Sequence, residues 1–378
     1  MPRQKITDKA IEQKYESGFL RLNQERNDFL LPQILDFVKT NKWINLHPEY
    51  QRRLVWDKKK RSQFIESLLM NIPIPPVFLF ESEYSRYEVM DGQQRLSTIV
   101  DFYENRFKLS GLEKWPELNG KNYSDCPPVI QRGLDRRRIS AVIVLAENLA
   151  LERDKFDIRR MVFKRLNTGG QNLIPQEIRN CLFSGPFNDL LVELAGNDLF
   201  DDLWEIPRYS EHIRGSHISS QLADNALFKR MRDCEIVLRF FAFSDSSNIR
   251  GAVVDILDRC MKGNLALDKE GISNLRVIFL EALETCRAVF GEKTFRLKNE
   301  EGKYLLSQPL YDAQMVAINK LKEFKDVLVK KRIAIQNQLE TALRSEELYE
   351  LVVGRPNTSA AIKDRLAQVE QIIRKAAL

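Results

Sequence analysis

The stretch YEVMDGQQRLSTIVDFYE, residues 87–104, decides how the first part of this chain folds. Residues 87–90 form a short apolar run typical of a strand, and Asp91-Gly92 is a turn dipeptide. Apolar side chains then recur at helical spacing at Leu96, Ile99 and Val100. The stretch therefore predicts a strand, a tight turn and a helix in direct succession.

Two further strands are expected around this unit. Residues 77–80 are strongly apolar, and the polar link 82–86 between them and the strand at 87–90 suits a hairpin. Residues 139–145 are a third run of strand-forming residues. The first half of the chain therefore predicts short strands mixed with helices.

Helical spacing governs most of the remaining chain. Helices are predicted from residue 31 to 38, and from an Asp57 N-cap to residue 71. Further helices are predicted at 152–165, at 175–182 and at 359–377, the last capped by Thr358 or Asn357. We predict an α+β chain in which a small mixed-sheet domain is followed by a mainly α-helical domain.

The predicted domain bounds follow from these patterns. Residues 1–28 are polar and charged and predict an N-terminal arm, residues 29–150 the mixed-sheet domain, and residues 151–378 the helical domain. The arm lacks the apolar core of a signal peptide, and no apolar run approaches the ~20 residues that span a bilayer. We therefore expect a cytoplasmic protein without membrane contact.

Composition narrows the function only slightly. The chain has 378 residues and a net charge of +6, from 59 basic and 53 acidic side chains. So small an excess neither requires nor excludes nucleic acid, so local charge matters more. The five cysteines are scattered and form no CxxC pair, which favours reduced thiols over a zinc site.

The predicted turn and helix start carry the features of an anion site. A helix start presents unpaired N–H groups and a positive dipole end, both suited to phosphate. Gly92 permits close approach, Gln93 and Gln94 supply amides, and Arg95 supplies a planar fork. Asp91 is placed to hold Mg²⁺ or to orient a water. The alternative is that Asp91 is only an N-cap and Arg95 only a surface residue.

Two basic clusters add positive charge near this region. The first comprises Arg52, Arg53, Lys58, Lys59, Lys60 and Arg61, and the second Arg136, Arg137 and Arg138. Lys58, Lys59, Lys60, Arg61 and the second cluster are candidates for a nucleic-acid backbone, with Tyr50 and Trp56 as stacking partners. A solvated charged face is the alternative.

Several motifs together resemble one family. These are Asp91-Gly-Gln-Gln-Arg95, Tyr50-Gln-Arg-Arg53 with Trp56, Glu66-Ser-Leu-Leu69 with Ile72-Pro-Ile-Pro75, and Phe163-Lys-Arg-Leu-Asn-Thr-Gly-Gly170 with Glu177-Ile-Arg-Asn180. The set resembles the DGQQR-motif N-terminal domain of GmrSD-type restriction systems, in the ParB/sulfiredoxin-like superfamily. The resemblance covers residues 28–187 well and the remainder loosely.

The resemblance implies that the domain binds and hydrolyses nucleoside triphosphates with Mg²⁺, in defence against foreign DNA. It implies catalytic roles for Asp91, Arg95 and Arg53, with Asp91 also the metal ligand. The implied nucleotide contacts are Arg52, Gly92, Gln93, Gln94, Asn167, Gly170, Glu177, Arg179 and Asn180. For the last five residues a structural role stays open, because Glu177 and Arg179 could brace two helices.

Nuclease chemistry within this chain finds little support. An HNH site needs a histidine base and metal ligands, whereas residues 218–378 contain no histidine. Three Glu-x-Lys triplets, at residues 12–14, 301–303 and 323–325, match part of a PD-(D/E)xK site but follow no convincing strand. We therefore expect any nuclease to be a separate effector.

The sequence leaves two main functions open. The first is an NTP-hydrolysing sensor that acts with DNA and with a separate effector nuclease or methylation-system subunit. The second is a non-catalytic nucleotide- or DNA-binding switch that docks an effector. A protein kept only for contacts with partner proteins is a third possibility.

Overall fold

The computed structural model describes residues 7–16, 22–46, 56–145, 161–162, 165, 174–183, 185–214, 217–299, 301–353 and 357–378. They fall into two compact units, the first extending to Asn172 and the second comprising Leu173–Leu378. The predicted domain boundary near residue 150 and most of the predicted helix at 152–165 lie outside the described residues.

A five-stranded mixed sheet forms the centre of the first unit, in the order β1-β5-β3-β4-β2. Its strands are β1 (Asn23–Leu30), β2 (Ile44–Asn45), β3 (Val77–Glu83), β4 (Arg86–Asp91) and β5 (Arg138–Leu145). β3 pairs with β4 antiparallel, as the predicted hairpin requires, and with β5 in parallel. The predicted α+β fold class is therefore confirmed.

Five described helices belong to the first unit. They are α1 (Asp8–Glu16), α2 (Leu31–Lys39), α3 (Lys58–Leu69), α4 (Gln93–Tyr103) and α5 (Pro128–Asp135), with a 3₁₀ turn at Pro116–Leu118. Asp57 caps α3 as predicted, because its carboxylate accepts from the Lys60 N–H at 2.7 Å. Buried Ile34, Ile65 and Ile99, from three of these helices, share one core with strand residues such as Leu79.

β1 differs from the predicted polar arm. Its sequence NQERNDFL is largely exposed and has no strand-like alternation. All eight residues nevertheless pair antiparallel with β5, from Asn23 opposite Leu145 to Leu30 opposite Arg138. Ser140 adds a side-chain bond, donating to Asp28 Oδ1 at 2.5 Å. Tertiary pairing, rather than local propensity, therefore makes this segment a strand.

The second unit is mainly helical, as predicted. Its helices are α6 (Pro175–Leu182), α7 (Pro186–Ala195), α8 (Asp198–Trp204), α9 (Tyr209–His212), α10 (Ser220–Ala223), α11 (Ala226–Lys229), α12 (Arg232–Ser244), α13 (Val253–Gly263), α14 (Lys269–Phe290), α15 (Gln308–Lys320), α16 (Lys325–Lys330), α17 (Arg332–Ala342), α18 (Glu346–Val353) and α19 (Ser359–Ala377). Pro175 opens α6, and Thr358 caps α19 by accepting from the Ala361 N–H at 3.2 Å.

Short hairpins and turns complete the second unit. The hairpins pair β6 (Ile213–Arg214) with β7 (His217–Ile218), and β8 (Arg296–Lys298) with β9 (Tyr304–Leu306). The 3₁₀ turns are Ser246–Asn248, Gly291–Lys293 and Lys322–Phe324. Among the described residues, no helix combines the length and apolar character needed to cross a membrane.

A buried ionic cluster lies within the helical unit. Asp312 of α15 is fully buried and accepts from Arg239 Nε of α12 at 2.9 Å. Arg365 of α19 is also fully buried, with its Nη2 4.0 Å from Asp312 Oδ2. One carboxylate therefore faces two guanidinium groups inside the core.

Candidate phosphate site and the buried second block

Gly92 makes the turn between β4 and α4 possible. Its φ of +95° lies in the left-handed region, which side chains other than glycine rarely adopt. A Cβ at this position would meet the Val77 side chain, lying 2.9 Å from Val77 Cβ and closer still to its Cγ1. Both the backbone conformation and the available space therefore require glycine.

The start of α4 is free of capping side chains. Gly92 is its N-cap, no side chain caps it, and its first turn contains no acidic residue. The positive end of the helix dipole and the first N–H groups are therefore not offset by a local carboxylate within the helix. This arrangement suits a bound anion.

The Arg95 side chain, at the start of α4, packs into the protein instead of projecting into solvent. Only 9% of the residue is exposed, its Nη1 donates to the carbonyl oxygen of Pro75, and its Nη2 donates to Asp91 Oδ2 at 2.7 Å. Burial lowers the pKa of Arg95, an effect that the Asp91 charge partly opposes. The guanidinium stays positively charged and ties the end of β4 to the segment before β3.

Asp91 is the exposed member of this pair. Its side chain is 44% exposed, and Arg95 holds one of its two oxygens. Among the described residues, no three His, Cys, Asp or Glu side chains form a group able to hold a metal. A single accessible carboxylate still fits Mg²⁺, which proteins often bind through one or two carboxylates together with substrate phosphates.

Gln93 and Gln94 use their amides on the protein itself. Gln93 Nε2 donates to the Leu46 carbonyl oxygen, and Gln94 Oε1 accepts from the Trp56 N–H at 3.1 Å. The two amides therefore connect the helix start to residues on either side of segment 47–55. Arg52, Arg53 and Tyr50 belong to that segment and lie outside the described residues.

Trp56 packs within the protein. Its ring meets Phe64 edge-on, with ring centroids 5.4 Å apart, and Lys60 Nζ lies 5.2 Å from its centroid. The residue is half-buried beside the core of the first unit. These contacts are those of a packed aromatic side chain, and its predicted stacking on a base stays untested.

The predicted nucleic-acid residues divide into two groups. Lys58, Lys59, Lys60, Arg136 and Arg138 are exposed. Arg61, in contrast, pairs with Asp101 at 2.5 Å, and Arg137 donates to the Leu69 carbonyl oxygen at 2.8 Å. Arg61 and Arg137 therefore stabilise the unit, and only the exposed five present free charge to a partner.

The second block of motif residues, 163–170 with 177–180, is described only in part. Glu177, Arg179 and Asn180 lie in the helical unit, whereas Asn167 and Gly170 lie outside the described residues. Arg179 is 1% exposed. Its Nε donates to Asp258 on α13 at 2.7 Å, and its Nη1 contacts Glu235 on α12 at 3.0 Å. Arg179 therefore braces three helices.

Glu177 and Asn180 are buried beside Arg179. Glu177 Oε2 accepts from the Ile174 N–H at 2.7 Å and pairs with Arg230 at 3.0 Å. Asn180 Oδ1 accepts from Asn188 on α7 at 2.9 Å. These contacts are those of the structural role that the sequence left open for this block, and a role of the block in nucleotide binding stays a prediction.

Glu177 is expected to make stability depend on pH. Burial raises its pKa above the ordinary value of 4.5, against the lowering effects of the Ile174 N–H and Arg230. The folded state then binds more protons than the unfolded state, so this contribution is full below 4.5 and is lost as pH rises through the raised pKa. Relative to Glu177→Gln, the wild type should lose stability as pH rises.

Urea unfolding of both proteins across acidic to neutral pH measures this difference. Glu340→Gln is the matched control, because its hydrogen bond to Lys293 lowers the pKa of Glu340. Its contribution is therefore present above the ordinary pKa and lost as pH falls, the opposite sign. A difference between wild type and Glu177→Gln that is flat with pH would contradict the raised pKa.

Sequence reasoning missed three partners of the site. The carbonyl oxygens of Pro75 and Leu46 and the N–H of Trp56 hold the DGQQR side chains. Backbone groups carry no residue signature, so no composition or spacing could have identified them. The Ile72-Pro-Ile-Pro75 turn and Trp56, both parts of the family motifs, gave an indirect signal.

Together these observations define the first unit as an α+β domain organised around a strand–glycine–helix turn with a paired Asp91 and Arg95. Residues 31–184 match the family model described as the N-terminal domain of the GmrSD restriction endonuclease. This match, which covers less than half of the chain, confirms for this part the resemblance recognised in the sequence. No curated protein matches the chain, and no solved structure matches it.

Proposed function

We propose that this chain is a component of a prokaryotic restriction or anti-phage defence system and that its first unit binds a nucleoside triphosphate. The nucleotide phosphates would lie against the start of α4 beside Asp91. The observation that carries this proposal is the uncapped helix start next to an accessible carboxylate. The family match supports the setting, because its description names a restriction endonuclease.

Each residue of the motif has a distinct part in this proposal. Gly92 keeps side-chain atoms away from the helix start, so that phosphate oxygens reach the first N–H groups. Arg95 orients Asp91 through their 2.7 Å hydrogen bond, and its buried guanidinium supplies positive charge close to the site. Arg95 is thus a positioning residue in this arrangement, because its two terminal nitrogens already bind Pro75 and Asp91.

Asp91 is the residue that would hold Mg²⁺ with the nucleotide. Magnesium bound there would neutralise phosphate charge. The exposed carboxylate and the absence of a competing acid in the first turn of α4 both support this assignment. Arg52 and Arg53 join the proposal from the sequence alone, as cations on the segment between Leu46 and Trp56.

Hydrolysis requires a base in addition to phosphate contacts. Glu88 is one candidate, three residues before Asp91 on β4, but a register shift in the β3–β4 pairing lies between the two residues, so strand alternation does not place its side chain beside Asp91. Glu177, the other candidate, is buried and paired with Arg230. The proposal that the chain hydrolyses the nucleotide therefore rests on the family resemblance rather than on a base at this site.

A non-catalytic switch is the second candidate function, and one observation favours it. Gln93 and Gln94 bind the backbone at Leu46 and Trp56. A nucleotide that engaged either amide would alter those contacts without any bond cleavage. The exposed Lys58, Lys59, Lys60, Arg136 and Arg138 would then supply the surface for DNA, and the effector would be a separate nuclease or methylation-system subunit.

Calorimetric titration with ATP, GTP, CTP and UTP in Mg²⁺ tests binding, and phosphate release with and without DNA tests turnover. Asp91→Asn keeps the shape of the side chain but removes its charge. We expect it to weaken nucleotide binding by about 10- to 100-fold, the usual effect of losing a charged hydrogen-bond partner. Asp36→Asn, on the exposed side of α2, is the matched control and should bind like the wild type.

The outcomes separate the candidates. Binding with phosphate release that Asp91→Asn abolishes supports the hydrolase, and binding without release supports the switch. Absence of binding for all four nucleotides would overturn the proposal. If Asp91→Asn and the wild type bound nucleotide with equal affinity, the nucleotide site would not lie at the start of α4.

A further inference from the structure

A cavity of about 260 Å³ lies within the helical unit. None of its lining residues belongs to the candidate phosphate site or to the family motifs. It is open to the surface and is lined by the β8–β9 hairpin, the end of α14, and parts of α15, α17 and α18. Its inner wall is apolar and buried, formed by Phe290, Leu297, Leu310 and Leu339. Tyr304 and Tyr349 add aromatic rings to the lining.

The charged residues of the lining are mostly basic. Four basic side chains, Lys293, Arg296, Lys298 and Arg344, stand against a single carboxylate, that of Glu340. Lys293 pairs with Glu340 at 2.5 Å, and Arg296 pairs with Glu205 at 2.8 Å. Within the part of the chain that the structure describes, Lys298 and Arg344 make no ion pair. The charge of Arg344 is available to an anion, and Lys298 acts on Glu340 only through its charge, so it can also turn to an anion.

Glu340 is already engaged and does not oppose an anion strongly. Its carboxylate accepts from the Tyr304 hydroxyl at 2.8 Å as well as from Lys293. The same bond fixes the Tyr304 ring, which is 37% exposed. An aromatic face is thus held in place next to the basic residues.

Gln314 brings a polar group to the buried side of the cavity. It is 1% exposed, and its Oε1 accepts from the Phe295 N–H at 2.9 Å. The described residues offer no hydrogen-bond acceptor to its amide nitrogen. Because Gln314 lines the cavity, this amide nitrogen can donate to a ligand or a water there.

We propose that this cavity binds a small aromatic anion, a planar ring that carries a phosphate or carboxylate group. The ring lies against the leucine wall and Tyr304, and Gln314 donates to an acceptor atom on it. The anionic group lies between Lys298 and Arg344. The volume of the cavity is close to the lower limit of small-molecule sites, which is about 300 Å³. The cavity can therefore hold one ring system but not a polymer.

Calorimetric titration of the full chain with phenyl phosphate tests the site, with benzoate as the carboxylate probe. Inorganic phosphate and phenol each supply half of the ligand and should bind at least tenfold more weakly. Arg344→Gln and Lys298→Gln should each weaken phenyl phosphate binding by about tenfold, as expected for loss of a charge-assisted contact. Arg332→Gln, an exposed arginine outside the lining, should leave it unchanged.

Two further variants assign the binding to the cavity. Leu339→Trp places a larger side chain in the wall and should abolish binding, whereas Asp36→Asn on the exposed side of α2 should have no effect. The proposal is overturned if neither aromatic anion binds. It is equally overturned if inorganic phosphate binds as well as phenyl phosphate, or if Arg344→Gln leaves affinity unchanged.

Discussion

Replacing Asp312 by asparagine is expected to lower the free energy of unfolding of the helical unit by about 3–5 kcal/mol. Asp312 is fully buried and is the carboxylate that faces both Arg239 and Arg365. Asparagine has nearly the same shape, so the change removes charge without creating a cavity. Arg365 would then lie in the core without a counter-charge, and Arg239 would keep only the charge of Glu235, which already pairs with Arg179.

Arg365 makes this cost large. Its Nη1 donates to the Leu351 carbonyl oxygen at 3.0 Å, but its Nε and Nη2 are buried and have no hydrogen-bond partner in the described structure. Burial lowers the pKa of Arg365, and Asp312 is the group that opposes this effect. Without Asp312, the nearby Arg239 would add only repulsion.

Urea unfolding followed by circular dichroism measures the effect. Glu193→Gln is the matched control, because its 2.7 Å pair with Arg276 lies at the surface, with side chains 54% and 35% exposed. Surface pairs contribute about 0–1 kcal/mol, so the control should differ little from wild type. A loss for Asp312→Asn no larger than that of the control would show that the cluster does not depend on this charge.

Gly92→Ala is expected to destabilise the first unit by about 2–5 kcal/mol. A left-handed backbone costs a residue with a Cβ about 1–2 kcal/mol. The new methyl group would also overlap the Val77 side chain, and overpacking of this kind costs about 1–3 kcal/mol. Because Val77 is fully buried at the start of β3, it has little room to move.

Gly120→Ala separates the two causes. Gly120 has a φ of +82°, close to that of Gly92, but nothing lies within 4 Å of the position that its new methyl group would take. The Gly120→Ala variant should therefore lose only the stability that corresponds to the strained backbone, about 1–2 kcal/mol. Equal losses for the two variants, measured by urea unfolding, would mean that Val77 yields to the methyl group at no cost.

The sequence predicted those parts of the fold in which local pattern and tertiary structure agree. The β3–β4 hairpin, the turn at Asp91-Gly92, and the caps at Asp57 and Thr358 each have their own residue signature. β1 does not, because its polar residues form a strand only through pairing with β5. Its existence depends on a partner more than 100 residues away.

The site shows the same division. Spacing placed Asp91, Gly92 and Arg95 together at the start of a helix. It could not show that Arg95 faces inward, because that orientation depends on the Pro75 carbonyl. Nor could it show that Gln93 and Gln94 are occupied, since their partners are backbone groups. The sequence therefore predicted the residue types of the site but not the directions of their side chains.

The edges of the sheet in the first unit bear on how the protein behaves at high concentration. Open strand edges invite pairing between molecules, which leads to aggregation. One edge here is β1, with Glu25, Arg26 and Asp28 along an exposed strand, and the other is β2, only two residues long. Charge protects the first edge and shortness the second. Exchange of the charged β1 residues for valine or isoleucine would therefore be a route to fibril-like association.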